Sequence, residues 1–166
     1  MSETSSQLAN IHDKLGAKIL QSMEAQGDDV VMLDRRGLRE SFRCLKDELN
    51  FNLLSDITAV DYWQKQEPRF EVVYQIASLE SRRRLRLRVA VPENDATVDS
   101  LTPLWRGANF LEREVWDLYG IRFTDHPDLR RILLYDEFKG HPLRKDYPIN
   151  LCQPRVPERQ VDGTFV

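Results

Sequence analysis

Two carboxylates two residues apart, Glu112 and Glu114, three histidines and two cysteines are the side chains that could carry out chemistry in this chain. Acid–base catalysis by the Glu112/Glu114 pair would need both groups at one point. At i and i+2 on a helix they face different ways, so a solvated or salt-bridged helix is the expected setting. A zinc site would draw on His126, His141 and Cys152 with Asp125 or Asp128, but the spacing fits no zinc pattern. These two histidines each precede a proline, His126-Pro127 and His141-Pro142, where hydrogen bonding to the turn beside it is expected. Cys44 and Cys152 are too few for an iron–sulfur cluster, which takes four thiolates. No glycine spacing builds a dinucleotide fingerprint or a phosphate loop, and no Gly-x-Ser-x-Gly elbow is present. The arginines at 82, 84, 86 and 88 invite a nucleic-acid reading, but they alternate strictly with Leu85, Leu87, Val89 and Val91. That is one polar face of a strand, without aromatics to stack on bases, so no nucleic-acid partner is expected.

Composition agrees. The chain has 166 residues, 41% apolar and 31% charged, with a net charge of −3. This suits one folded domain, and no apolar run approaches the roughly 20 residues of a membrane helix. No signal peptide is visible in Met1–Gln7, so a reducing cytosolic setting is expected.

Periodicity supplies the elements that must position these groups. Leu8, Ile11, Leu15, Ile19 and Met23 step by three and four, predicting a helix over 6–24, capped by Ser5 or Ser6 and stopped before Gly27. A strand over 29–33 follows, then a helix capped by Asp34 with Leu38, Phe42, Leu45 and Leu49 on one face. Strands are expected at 51–62, with Phe51, Leu53, Ile57 and Ala59 aligned, and at 69–78 and 83–91, the last two as an antiparallel hairpin stopped by Pro92. Residues 92–99 read as a loop, with Asp99 or Ser100 capping a short helical turn. Residues 109–119 read as a helix ended by Gly120, in which Arg113 and Asp117 can pair. From Ile121 onward five prolines and many charges replace the periodicity, so this stretch is expected to be disordered or held by something else. The fold class is α+β: a mostly antiparallel sheet with helices packed on one face, plus an extended C-terminal arm. Residues 1–148 form the domain and 149–166 the tail.

The segment 105–148 combines arginines, carboxylates and aromatics in the manner of interface anchors. It holds Glu112-Arg113-Glu114, Asp117, Gly120-Ile121, His126-Pro127 and Leu129-Arg130-Arg131, then Gly140-His141-Pro142-Leu143-Arg144-Lys145-Asp146-Tyr147-Pro148. Together with Leu54-Ser-Asp-Ile-Thr-Ala-Val-Asp-Tyr62, these blocks resemble the C-type (30 kDa-type) subunit of the proton-translocating NADH:quinone oxidoreductase, respiratory complex I. The resemblance runs over about residues 30–150.

It implies a peripheral-arm subunit that binds no cofactor itself, within a complex that uses FMN, iron–sulfur clusters, NADH and quinone. The partners it implies are the D, B and I subunits of the quinone module, on the cytoplasmic side of a bacterial membrane. In this reading Glu112, Arg113, Glu114 and Asp117 fix the helix to a strand end and to the Arg130-Arg131 segment, while Arg144, Lys145 and Asp146 dock the tail on a partner. A chain ending at Val166 is expected not to be the C–D fusion, and Gln153–Arg159 departs from the family's ending. The related subunit of a membrane-bound hydrogenase or a ferredoxin-linked relative is the alternative. A free-standing enzyme with an acid–base site at Glu112 and His126 is the reading from a different class.

Overall fold

Gly16 ends the first helix. The computed structural model describes residues 3–25 and 28–155, and in it helix α1 (Glu3–Leu15) stops where Gly16 adopts φ +50°, which favours glycine. After a single 3-10 turn the chain becomes strand β1 (Ile19–Ala25), not the helix predicted to 24. A step of four residues suits both a helix and one face of a strand, so Leu15, Ile19 and Met23 could not decide between them. Pairing decides: β1 runs antiparallel to β2 (Asp28–Leu33), from Ile19 opposite Leu33 to Ala25 opposite Asp28. The helix also begins before Ser5 and Ser6, and Gly27 lies outside the described residues.

Asp34 caps a turn and not the next helix: its Oδ1 accepts the Arg36 N–H at 2.9 Å. Helix α2 (Leu38–Asp47) starts after Gly37, which sits at φ +71°. Strands β3 (Leu53–Asp61), β4 (Phe70–Ser78) and β5 (Arg83–Val91) complete a sheet ordered β1-β2-β5-β4-β3. Only β2 and β5 are parallel within it. A bulge between Leu54 and Asp56 turns Leu53 out to 41% exposure, away from the Ile57–Ala59 face assigned to it. The arginine face of β5 is acid-paired, with Arg88 bidentate on Glu71 at 2.6 Å and Arg86 3.5 Å from Asp28.

The other face is the core. Val31, Leu33, Leu85, Leu87, Val89, Phe70, Val72, Tyr74 and Ile76 are buried beneath Leu38, Phe42 and Leu45 of α2. The Phe42 ring lies 4.9 Å from that of Tyr74 and 6.0 Å edge-on from that of Trp105. Helix α3 (Ala108–Tyr119) packs by Ala108 and Val115 and ends at Gly120, φ +76°, as its sequence predicts.

Two short strands escape prediction: β6 (Thr97–Asp99) and β7 (Arg122–Thr124) pair in parallel. Three residues are too few to display a period. They matter because they set Ser100 beside Thr124, the point where the C-terminal arm begins.

Candidate functional site

Residues 125–155 contain no helix or strand, yet they do not hang free. Two buried carboxylates of the domain hold them. The first is Asp117, in the last turn of α3, with a fully buried side chain. Its Oδ2 accepts three consecutive backbone N–H groups, from Ile132, Leu133 and Leu134, at 3.2, 3.0 and 2.9 Å. Its Oδ1 accepts Arg131 Nη1 at 2.5 Å. The Arg131 guanidinium then donates to the carbonyls of Phe138 and Gly140, and lies 5.8 and 5.7 Å from the Trp116 and Phe138 rings. Arg113 does not pair with Asp117, as their spacing suggested; it donates to the carbonyls of Arg130 and Arg131. The arm's backbone supplies a closer set of acceptors than the helix itself.

His141 completes this grip. Its Nδ1 donates to the Asp117 carbonyl at 2.9 Å, and burial, chiefly, lowers its pKa and keeps the ring neutral. The ring fills the space over Gly120, where a Cβ would come within 2.6 Å of it. Gly120→Ala combines that clash with left-handed strain, a cost of about 1–3 kcal/mol. Its expected result is a chain with an intact core and a loosened arm, read as faster amide exchange confined to residues near 131–147.

The second carboxylate is Asp61, at the end of β3. It receives Arg69 Nε at 2.9 Å and Nη2 at 2.8 Å, the Trp63 N–H at 2.9 Å and, from the arm, the Lys145 N–H at 2.8 Å. Arg69, itself buried, also binds Asp146 at 2.7 Å and Glu93 at 2.5 Å. Next to it Arg144 donates to the Tyr119 carbonyl at 2.6 Å and lies 5.1 Å from the Phe70 ring. The arm's far end is tied to its middle, since Gln153 bonds both backbone groups of Lys139 and the Tyr147 hydroxyl.

The charges suit a permanent clamp. Burial alone would raise Asp61 and Asp117, but their guanidinium and N–H donors prevail and hold both below the usual carboxylate range. The Arg69 hydrogen bonds do the same for Asp146. Groups with depressed pKa stabilise the fold above their unfolded values, and that contribution is lost only as pH falls through the lowered ones. The clamp therefore stays closed at neutral pH.

Glu112 is neither solvated nor salt-bridged to a permanent cation. Its side chain is fully buried and accepts the Leu101 N–H and the hydroxyls of Ser100 and Thr102. Burial, opposed by these donors, lifts its pKa to about 7. Ser100 also accepts the Thr102 N–H at 3.1 Å, the turn cap expected of it. His126 lies 3.9 Å from Glu112, likewise fully buried, so the two candidates for acid–base work do meet, but where no substrate reaches them in this conformation. Glu114 is exposed on another face, as expected of it, Pro127 is exposed, and Arg130 pairs with Asp128 at the surface. His126 and His141 attach to opposite ends of α3, through Asn109 and Asp117, about 12 Å of helix apart. Among the described residues no three His, Cys, Asp or Glu side chains gather to hold a metal. Arg69 is invisible to sequence reasoning; its only signal is an arginine opening an apolar strand.

Comparison with known proteins adds relatives. Residues 31–151 match the family described as respiratory-chain NADH dehydrogenase, 30 Kd subunit. The chain is 47% identical over 149 residues to the C subunit of NADH-quinone oxidoreductase from Geobacter sulfurreducens, covering 90% of this chain and 92% of that one. It is 46% identical to the C subunit from Roseiflexus sp. over 144 residues, 86% of this chain and 82% of the relative. Among solved structures it resembles Nqo5, in a trypsin-resistant fragment (1-134), with TM-score 0.66 and 36% identity over 77% of this chain and all of that one. A chain of an archaeal membrane-bound sulfane sulfur reductase shares the fold, with TM-score 0.78 and 23% identity over 90% of this chain and 88% of that one.

Proposed function

The chain belongs to the family of the respiratory-chain NADH dehydrogenase 30 Kd subunit, and from that premise we propose that it is a structural, non-redox subunit of the peripheral arm of NADH:quinone oxidoreductase. The complex passes electrons from NADH through FMN and iron–sulfur clusters to quinone and couples this to proton translocation. This chain performs no chemical step and binds none of those cofactors; it holds the quinone module in shape. Its partners are the D, B and I subunits, on the cytoplasmic face of the membrane, and it meets the membrane only through the complex. Among the described residues no helix is long and apolar enough to cross one.

The observation that carries this reading is identity to the named C-subunit relatives over nine-tenths of the chain. The arm shows how the role is performed. It is fastened from inside by Asp117 and Arg69, while Leu133, Leu143, Ile149 and Leu151 turn outward, Ile149 fully exposed. Apolar side chains gathered on one exposed segment mark a protein interface. Arg144, Lys145 and Asp146 place the tail for that contact: Arg144 and Asp146 are used inside the chain, and the Lys145 side chain is exposed. Residues 1–148 form the scaffold unit and 149–166 the docking tail.

The pair Leu133→Asp and Ile149→Asp tests the interface. Neither side chain belongs to the core, so the purified variant keeps its melting temperature within a few degrees. In membranes the assembled complex falls at least about tenfold, since charges enter a desolvated contact. Assembly at the wild-type level would refute the arm as the docking surface.

A further inference from the structure

The five-stranded sheet has a second face. Helices α1, α2 and α3 all bury apolar side chains in the core on the other side, among them Ile11, Phe42 and Val115. The residues that alternate with the core positions point away from these helices, and a solvated sheet gives such positions to polar side chains. Here they include Val30, Met32, Val60 and Val73, none of them fully exposed. Val30 is only 4% exposed, although it is not part of the core.

The register explains why this face is hollow. Arg86 stands between Val30 and Gln75, and Arg88 between Met32 and Val73. The two guanidiniums lean apart along β5. Arg88 reaches toward Glu71, which lies opposite Ala90, and Arg86 reaches back to Asp28, beside Arg84. Between them lies an open trough of about 440 Å³, floored by Val30 and Val73 and bounded by Met23 on β1 and Thr58 on β3. Four strand spacings separate those two strands, about 19 Å. The charges are uneven. Arg88 and Glu71 cancel, but Arg84 and Arg86 share the one carboxylate of Asp28, at 3.6 and 3.5 Å, which leaves a positive charge over. Asp56, on the same face of β3, does not line the trough.

We propose that this outer face seats one amphipathic helix of a partner chain, with aliphatic side chains on Val30 and Val73 and a carboxylate of its own against Arg84 and Arg86. A helix suits the floor because it satisfies its own backbone hydrogen bonds; an extended segment laid there would leave its N–H and C=O groups unpaired. A helix is about 10–12 Å across and fits between the two rims. A second copy of this chain does not fit, since a symmetric contact sets the same patch against itself and brings Arg84 and Arg86 against their own kind. The seat includes no residue of the arm, so it is a second contact, separate from the one made through Leu133 and Ile149.

Site-specific photo-cross-linking in the source organism tests this, with the reactive group placed in turn at Met23 and at Thr58, the exposed residues on either rim. Adducts from solubilised membranes are mapped by mass spectrometry. Both positions trap the same segment of one partner chain, on the two flanks of a single helix that carries Asp or Glu. Arg84→Glu turns the surplus charge negative and lowers both yields at least about fivefold. At a side chain 73% exposed it leaves the melting temperature within a few degrees. Arg84→Gln only removes the charge, gives an intermediate yield, and decides the matter should the glutamate variant fail to fold. Adducts to a second copy of this chain, to two unrelated segments, or in yields that neither variant changes overturn the proposal. So does the absence of adducts at both positions; an adduct from Leu133 in the same membranes would then show that the arm alone docks.

Discussion

Asp117→Ala will free the arm from the domain and cost about 3–5 kcal/mol of stability. The loss is large because one carboxylate satisfies four donors: a guanidinium and three backbone N–H groups. Alanine leaves Arg131, only 13% exposed, as an unpaired charge beside Trp116 and Phe138. Each abandoned N–H adds about 1–3 kcal/mol if it stays buried. The cheaper response is for residues 130–146 to leave, so that water satisfies them. Limited trypsin digestion reads this directly, since Lys139, Arg144 and Lys145 lie in the released stretch. The variant is cut there many times faster than the wild type, while residues up to about 124 survive. Asp117→Asn keeps an acceptor for the N–H groups but not the charge, and falls between the two. A digestion pattern identical to the wild type would show that Asp117 does not hold the arm.

Arg69→Gln reverses the response to acid. In the wild type Asp61 has a depressed pKa, so lowering the pH through that value destabilises the chain. Without the guanidinium the fully buried Asp61 retains only the N–H groups of Trp63 and Lys145, and burial then raises its pKa above the unfolded value. The folded variant binds the proton more tightly than the unfolded chain. Its stability therefore rises as pH falls, and at neutral pH it lies about 3–5 kcal/mol below the wild type. Asp146 also loses its partner, so the arm loosens at its second anchor. Urea midpoints at pH 7 and pH 5 check this: the gap between the two proteins narrows at pH 5. A gap that stayed constant would mean that Asp61 is not left as an isolated buried charge.

How much of this could be read from the sequence follows from the range of the forces involved. Helices α2 and α3 and the β4–β5 hairpin announce themselves because their faces are apolar at one fixed period. Strand β1 reads as helix because Ile19 and Met23, four apart, fit either period, and the partner that settles it, β2, is a tertiary choice. Strands β6 and β7 are too short to carry a period. The arm is the instructive case. Its prolines and charges look unable to order themselves, and they do not; Asp117 and Asp61 order them from up to 84 residues away. Spacing pairs Asp117 with Arg113, one turn away, where the folded chain uses Arg131. Spacing also leaves Glu112 on a wet helix face, although Ser100 and Thr102 close over it. The family blocks include residues that make these contacts, Asp117 and Arg131 among them, but do not tell which residue touches which.

The central claim is that this chain is a subunit of NADH:quinone oxidoreductase and carries out no step by itself. The direct measurement is to tag it in its source organism, purify it from detergent-solubilised membranes, identify the co-purifying chains and assay inhibitor-sensitive NADH:quinone reduction. The account predicts the D-type and cluster-bearing subunits in the eluate, together with that activity. A lone chain without partners or activity would contradict it, and hydrogenase subunits in their place would assign the chain to a different machine.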